Sequence, residues 1–538
     1  MERRDILKSL ALFPLAGGFI PMQSALANRS NKPTGPLSLG PNIYESIGVD
    51  TIINCRGTFT IIGGSIELPE VHAAMQAASG NFVQYDELAH GIGQRLAELT
   101  GAEWGIVTAG CAAAMKHATA ACVAGGNPEK LLRIPDLTGM DKTEVIMPAY
   151  SRNAYDHAVR NIGVTIITVN TPEELQEAMN PRTAMIYINS GRGSATGQPL
   201  SLEAIAAMAK PKNIPILLDA AAENLSRPNF HLDRGATMVA YSGGKALCGP
   251  QCAGLLLGDK KLLMSAWQAS SPHHGPGRDN KVGKEEMLGM LAAVEAWFTR
   301  DHEKEWDKWL SRLDHISQKV TTLDGVSSRV VEPSSLSNVA PVLQILWDPD
   351  KLHVSGEELA EELGRNKPRV AVGSGSSDGL TLIHITPSQM QDGEDKIVAQ
   401  RVHDLLAMKR SPKPSNMTAP AADLGGRWEM DMEFTSSNSL HKLTLAQDGN
   451  WIEGTHQGDF SSQDMVGTIE GNEVKLSSVS RRPGDSIIYL FSGTISGDSM
   501  KGTVFMGEYQ MANFTAKRLD YKPRRGRILI PGGPPLAT

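Results

Sequence analysis

From about Asn42 to Leu257 the chain alternates short β-branched runs with amphipathic, alanine-rich stretches, and this alternation constrains the fold most. The apolar runs are Trp104–Thr108, Glu144–Met147, Val164–Val169, Ala184–Asn189, Ile214–Leu218, Met238–Tyr241 and Gly254–Leu257. Helical patterns lie between them at Cys111–Ala124, Asn153–Asn161, Pro172–Met179 and Ser201–Ala209. Buried strands alternating with helices predict a mostly parallel sheet with helices on both faces. Ligands bind such a sheet outside the carboxyl ends of its strands, so the residues that follow each run carry the functional expectation.

The remainder reads as further domains, as a chain of 538 residues leads one to expect. Residues 42–284 form the large α/β domain. Residues 285–410 read as a connecting helix and a small α/β domain, beginning with a helical stretch from Glu285 to Val320. A proline-rich linker, 411–422, follows. In 423–519 the period changes to two: Trp428, Met430, Met432 and Phe434 alternate with charged residues, as half-buried strands do. Gly467-Thr468-Ile469-Glu470-Gly471-Asn472 recurs as Gly493-Thr494-Ile495-Ser496-Gly497-Asp498, each copy reading strand, turn, strand. This predicts a separate antiparallel β domain, a barrel or a sandwich. The tail, 522–538, is basic, then rich in proline and glycine, and reads as disordered.

Residues 1–27 read as a targeting segment. Arg3 and Arg4 precede a short apolar stretch from Leu10 to Ile20, and Ala25-Leu26-Ala27 supplies a small-x-small cleavage pattern. Paired arginines followed by Asp5-Ile6-Leu7-Lys8 match a twin-arginine signal, the address of proteins exported already folded. Export to the periplasm is therefore expected, and with it a cofactor inserted before crossing. No run approaches the roughly 18 apolar residues of a membrane span. A formal charge of −7 gives no global basic field, which speaks against nucleic acid as a partner. Five cysteines are too few for a disulfide scaffold, and Cys248 with Cys252 lack the further ligands a zinc site needs, so no metal is expected.

The chemistry gathers behind the strands. Ile216-Leu217-Leu218 runs into Asp219, and the strand ending at Tyr241 is followed by Ser242-Gly243-Gly244-Lys245. Alone, Lys245 could be a solvated turn lysine and Asp219 a helix cap. Together, at the same sheet edge, they are the pair that pyridoxal phosphate needs: an amine to bond the cofactor aldehyde and an acid to keep the ring nitrogen protonated. The glycines beside the lysine would let the backbone approach the ring. Thr108-Ala109-Gly110-Cys111-Ala112 passes straight from strand to helix, so the N–H groups of Gly110, Cys111 and Ala112 are candidates to hold a phosphate. A merely tight strand–helix turn is the alternative. Ser242 could add a hydroxyl to the same group.

These motifs make residues 42–410 resemble a fold-type I pyridoxal phosphate enzyme with the aminotransferase-like α/β fold. The text that carries the likeness includes Ile53-Asn54-Cys55-Arg56-Gly57-Thr58, Asn153-Ala154-Tyr155-Asp156-His157-Ala158, Leu218-Asp219-Ala220, Ser242–Lys245 and Lys281-Val282-Gly283-Lys284-Glu285-Glu286. The branch it is most similar to holds bacterial selenocysteine synthase and D-glucosaminate-6-phosphate ammonia-lyase. The resemblance implies that Lys245 bonds the cofactor and moves protons, and that Asp219 holds the ring nitrogen. It implies that His157 stacks on the ring and Asn189 meets the ring hydroxyl. Arg56 and Arg278 fall where anionic substrate groups are expected. It also implies a homodimer or larger homo-oligomer. One departure stands out: His384, in Leu382-Ile383-His384-Ile385-Thr386-Pro387, occupies the place where related enzymes carry a carboxylate-binding arginine.

The expected function is that of an exported lyase or transferase acting on a small amino compound by α-proton abstraction, then β-elimination or group transfer. Transamination shares the opening steps. Selenium transfer to seryl-tRNA is opposed by the acidic charge and the export signal. A binding protein on the same scaffold, with the β domain as its working part, is the reading from a different class.

Overall fold

A computed structural model describes residues 35–41, 43–412, 414, 416–520, 526–527 and 532–533. The expected export signal and most of the 522–538 tail lie outside the described residues. The chain divides into two units, one spanning Thr34–Pro412 and the other containing Lys413–Thr538.

In the first unit a short strand, β1 (Ile53–Asn54), precedes the large sheet. That sheet is built from β2 (Trp104–Thr108), β3 (Glu144–Pro148), β4 (Thr165–Val169), β5 (Thr183–Asn189), β6 (Ile216–Asp219), β7 (Met238–Ser242) and β8 (Gly254–Gly258). Their order is β2-β8-β7-β6-β5-β3-β4. Only β8 runs against its neighbours; the rest are parallel to one another. The carboxyl ends of β2, β5, β6 and β7 therefore share one edge. Strands buried on both faces need apolar residues at every position, which is why β2, β3 and β8 lack alternation and are buried throughout. The Gly110–Ala124 helix packs against this sheet and is buried almost all round. Its alanines leave little side-chain bulk, so the backbone comes close to the strands.

The helical stretch expected from Glu285 to Val320 is two helices, Lys284–Thr299 and His302–Val320. Arg300 turns to extended backbone, and the Asp301 side chain accepts the N–H of Lys304, so a new helix is capped there and the first does not continue. The second helix packs on an antiparallel sheet of β9 (Val326–Val331), β10 (Val342–Trp347), β12 (Gly373–Ser377) and β13 (Leu380–Ile385), in the order β12-β13-β10-β9. Between them in sequence, β11 (Val370–Ala371) pairs in parallel with β1. That pairing carries the segment after β1 to the small sheet, where the Thr386 N–H reaches the Cys55 carbonyl at 2.8 Å. Arg56 and His384 line one cleft as a result.

The second unit is a closed antiparallel barrel, which resolves the choice between barrel and sandwich. Its strands are β14 (Gly426–Glu433), β15 (Asn438–Asp448), β16 (Trp451–Gln457), β17 (Ser462–Glu470), β18 (Glu473–Arg482), β19 (Asp485–Ser496), β20 (Ser499–Phe505) and β21 (Met511–Arg518). Each pairs with the next, and β14 closes onto β21. Closure leaves no strand edge open to another chain. Trp428, Met430 and Met432 point inward, as the period of two requires, and the repeated glycine motif supplies the β17–β18 and β19–β20 hairpins. Inside the barrel, His441 and His456 are buried and face each other, Nδ1 to Nε2, at 2.8 Å.

Candidate active site

Asp219 is the last residue of β6, in register with Asn189 of β5, and only 5% exposed. Burial pushes its carboxyl pKa up on balance. Three donors oppose that: the Ala221 N–H at 3.0 Å and the Cys111 thiol at 3.4 Å on one oxygen, and the Tyr187 hydroxyl at 3.0 Å on the other. The nearby charge of Lys245 pulls in the same downward direction.

The Gly110–Ala124 helix begins at the end of β2, and no side chain caps it. Gly110 takes φ +86°, a left-handed turn that admits glycine cheaply. Gly254, paired with Ser242 in β7, lies against this terminus: a Cβ there would stand 2.5 Å from the Gly110 carbonyl carbon and 2.7 Å from the Cys111 nitrogen. Gly254 thus lets the helix start settle beside Ser242. The N–H groups of Gly110, Cys111 and Ala112 open the helix there, and the helix dipole favours an anion.

Lys245 stands half-buried in the loop after β7, its amine 6.0 Å from the centre of the Tyr155 ring. The flanking glycines have a packing reason of their own. A Cβ on Gly244 would lie 1.9 Å from the Gln251 side chain, and one on Gly243 would lie 2.6 Å from Met290 Sδ. They let the loop fold against its own neighbours, fixing the lysine from behind.

The other expected residues distribute unevenly. Asn189 sits beside Asp219 and is anchored by its N–H to the Ser151 hydroxyl at 2.9 Å. His157 is exposed and bonds Asn161 through Nδ1 at 3.0 Å; the aromatic ring near Lys245 is that of Tyr155, two residues earlier. Arg56 and His384 line one cleft of about 580 Å³ with Glu357 and Glu361. Burial pushes the His384 pKa down, so it presents a neutral ring. Arg56 also lines a second cleft, of about 850 Å³, which reaches Ala246 and Arg300. Arg278 is exposed and donates to the Ser271 hydroxyl at 2.8 Å, in a loop held to the Gly110–Ala124 helix by Lys116 and Asp279. Among the described contacts, none ties Arg278 to Lys245 or Asp219. Sequence reasoning missed Tyr187 and the thiol of Cys111. Tyr187 was within reach, since it lies two residues before Asn189 and so on the same face of β5.

The set fits pyridoxal phosphate: a buried carboxylate for a ring nitrogen, an amine beyond it, and an uncapped helix start cradled by glycine for a phosphate. Comparison with known proteins agrees. Residues 83–278 match the aminotransferase class-V family. The chain is 30% identical over 295 residues to a D-glucosaminate-6-phosphate ammonia lyase of Salmonella typhimurium, covering 53% of this chain and 77% of that one. It is 28% identical over 375 residues to a 5'-C-glycyluridine monooxygenase-decarboxylase of a Streptomyces species, covering 68% of this chain and 92% of the relative. Among solved structures, a D-glucosaminate-6-phosphate ammonia-lyase superposes with a TM-score of 0.61 at 24% identity, covering 68% of this chain and 99% of its own. With lysine, acid and an uncapped helix start at one sheet edge, and this relationship extending over most of an ammonia lyase, the chain belongs to the aminotransferase class-V family of pyridoxal phosphate enzymes.

Proposed function

We propose that this protein is an exported lyase or transferase that removes the α-proton of an amino acid with a sugar-derived side chain, then eliminates or replaces a β-substituent. The observation that carries the reading is the Lys245–Asp219 arrangement, with the buried carboxylate held by three donors. When bound, the cofactor supplies a ring that takes up negative charge from the substrate carbon. The protein's own groups do the rest. Lys245 Nζ takes the α-proton and returns it, and Asp219 holds the ring nitrogen's proton in place. The first N–H groups of the Gly110–Ala124 helix and the Ser242 hydroxyl hold the phosphate. Asn189 and His157 complete the ring's surroundings.

The substrate class follows from two supports. The names of both relatives denote amino acids built on a sugar, one a phosphorylated glucosaminate and one a glycylated uridine. The position of His384 points the same way: a neutral imidazole cannot fork onto a carboxylate as an arginine does, so recognition shifts to other parts of the substrate. Arg56, shared by two clefts, is the cation offered to an anionic substituent.

Purified protein should carry a visible absorbance band that borohydride bleaches and that Lys245→Ala lacks. Incubation with 2-amino-2-deoxyaldonates then separates the reactions. Ammonia release indicates elimination, carbon dioxide release indicates decarboxylation, and amination of an added keto acid indicates transamination. A protein that stays colourless with added pyridoxal phosphate rejects the catalytic reading and leaves the binding protein. Salt-dependent tRNA binding would favour selenium transfer instead. Export by the twin-arginine route requires that Arg3→Lys with Arg4→Lys trap the protein inside the cell. The homo-oligomer expected for such a site requires a solution mass of at least two chains.

A further inference from the structure

We propose that Tyr187 and Cys111 are positioning residues for the ring-nitrogen acid: they clamp the Asp219 carboxylate in one orientation, with one donor on each oxygen. The inference rests on the reading of Lys245 and Asp219 given above.

Tyr187 lies in the middle of β5, fully buried, where a leucine would fill the same run. Its hydroxyl donates to Asp219 Oδ2 at 3.0 Å, the β6 strand beside it holding the acid in register. A buried carboxylate must be charged to hold a proton on a partner nitrogen, and burial works against that charge. Each donor restores part of it, and a donor fixed on a neighbouring strand also fixes the direction of the remaining lone pairs.

Cys111 performs a different part of the same task. Its thiol donates to Asp219 Oδ1, while its backbone belongs to the uncapped helix start. One residue thus sets the spacing between the phosphate seat and the ring acid. A serine could keep the donor at this position, but an alanine could not.

The test uses full-length holoprotein and reads the pH titration of the lysine-bound chromophore, not turnover. With a weaker Asp219 anion the ring nitrogen loses its positive charge, and the lysine linkage then holds its own proton more tightly. Tyr187→Phe, which keeps the packing and removes the hydroxyl alone, should raise the titration midpoint by about one pH unit, a tenfold change typical of one charge-assisted hydrogen bond. Cys111→Ala should raise it less, the thiol being a weak donor, and Cys111→Ser should leave it near wild type. A wild-type midpoint in Tyr187→Phe, with an unchanged melting curve for the apoprotein, would overturn the proposal and reduce the tyrosine to filler. Should Tyr187→Phe fail to fold, equal midpoints in Cys111→Ala and Cys111→Ser would overturn the clamp. If wild-type protein forms no chromophore at all, the cofactor reading itself fails and this inference with it.

Discussion

At the scale of single residues, the acid and the lysine were legible as a pair, because Asp219 breaks an apolar run and Lys245 follows the next strand at the same sheet edge. Asp219 ends a strand buried on both faces, and a charge there demands a partner. Asp219→Asn keeps the shape and can still accept from Ala221, so the protein should fold. Without an anion the ring nitrogen is not held protonated, and kcat should fall about 10²–10⁴-fold, the range of a proton-transfer group, while KM changes little. A kcat within a few-fold of wild type would remove Asp219 from the mechanism. Tyr187 was legible only through its spacing from Asn189: inside a buried strand an aromatic reads as core, and its polar partner lies on another strand. His384 gives a second prediction. Held neutral by burial in the cleft that Arg56 also lines, it offers no fork for a carboxylate. His384→Arg should lower KM for a simple amino acid such as serine about tenfold, the worth of one charged hydrogen-bonding contact. An unchanged KM in steady-state assays would place the carboxylate elsewhere.

At the scale of elements, apolar runs located the strands of the large sheet to within two residues, yet the reversal of β8 was invisible. Gly254–Leu257 has the composition of its parallel neighbours, and only the short Lys245 loop, too brief for a crossover helix, forces the chain back antiparallel. The barrel strands were legible through their period of two, but His441 and His456 stood out only once the strands were paired. His456 is pushed down to about 3 by burial and by the charge His441 would carry, and His441 is lowered by burial. Both are neutral in the folded barrel, whereas in the unfolded chain they titrate near 6.5. Their contribution is therefore complete above pH 6.5 and is lost as pH falls from there toward 3, because the unfolded chain takes up protons that the barrel refuses. Each such proton steepens the loss by about 1.4 kcal/mol per pH unit. Melting of the barrel should drop between pH 7 and 4, and His456→Leu should flatten that slope. Parallel slopes in the two proteins would mean that carboxylates alone govern the acid transition.

At the scale of the whole molecule, the change from helical spacing to a period of two across a proline-rich stretch made a second domain readable. Its closure was not, since β14 meets β21 through pairs such as Trp428 with Arg518, which no local pattern encodes. Among the described residues, the buried side chains of the large-sheet and small-domain cores lie between Cys55 and Leu406, and the barrel has a core of its own from Leu424 to Ala516. A related ammonia-lyase structure, matched over 99% of its own length, corresponds to only 68% of this chain, so that fold is complete without a region of this size. Separate cores imply separate folding, because burial within each supplies the stability that conformational entropy opposes. A chain ending at Pro412 should accordingly fold, bind pyridoxal phosphate and keep the borohydride-sensitive link at Lys245. Its turnover on a substrate identified for the intact protein should stay within a few-fold. Loss of the chromophore on truncation would show that the barrel supports the site. Retained chromophore with turnover lost would assign the barrel to substrate delivery, and unchanged turnover would leave it a binding task separate from the chemistry.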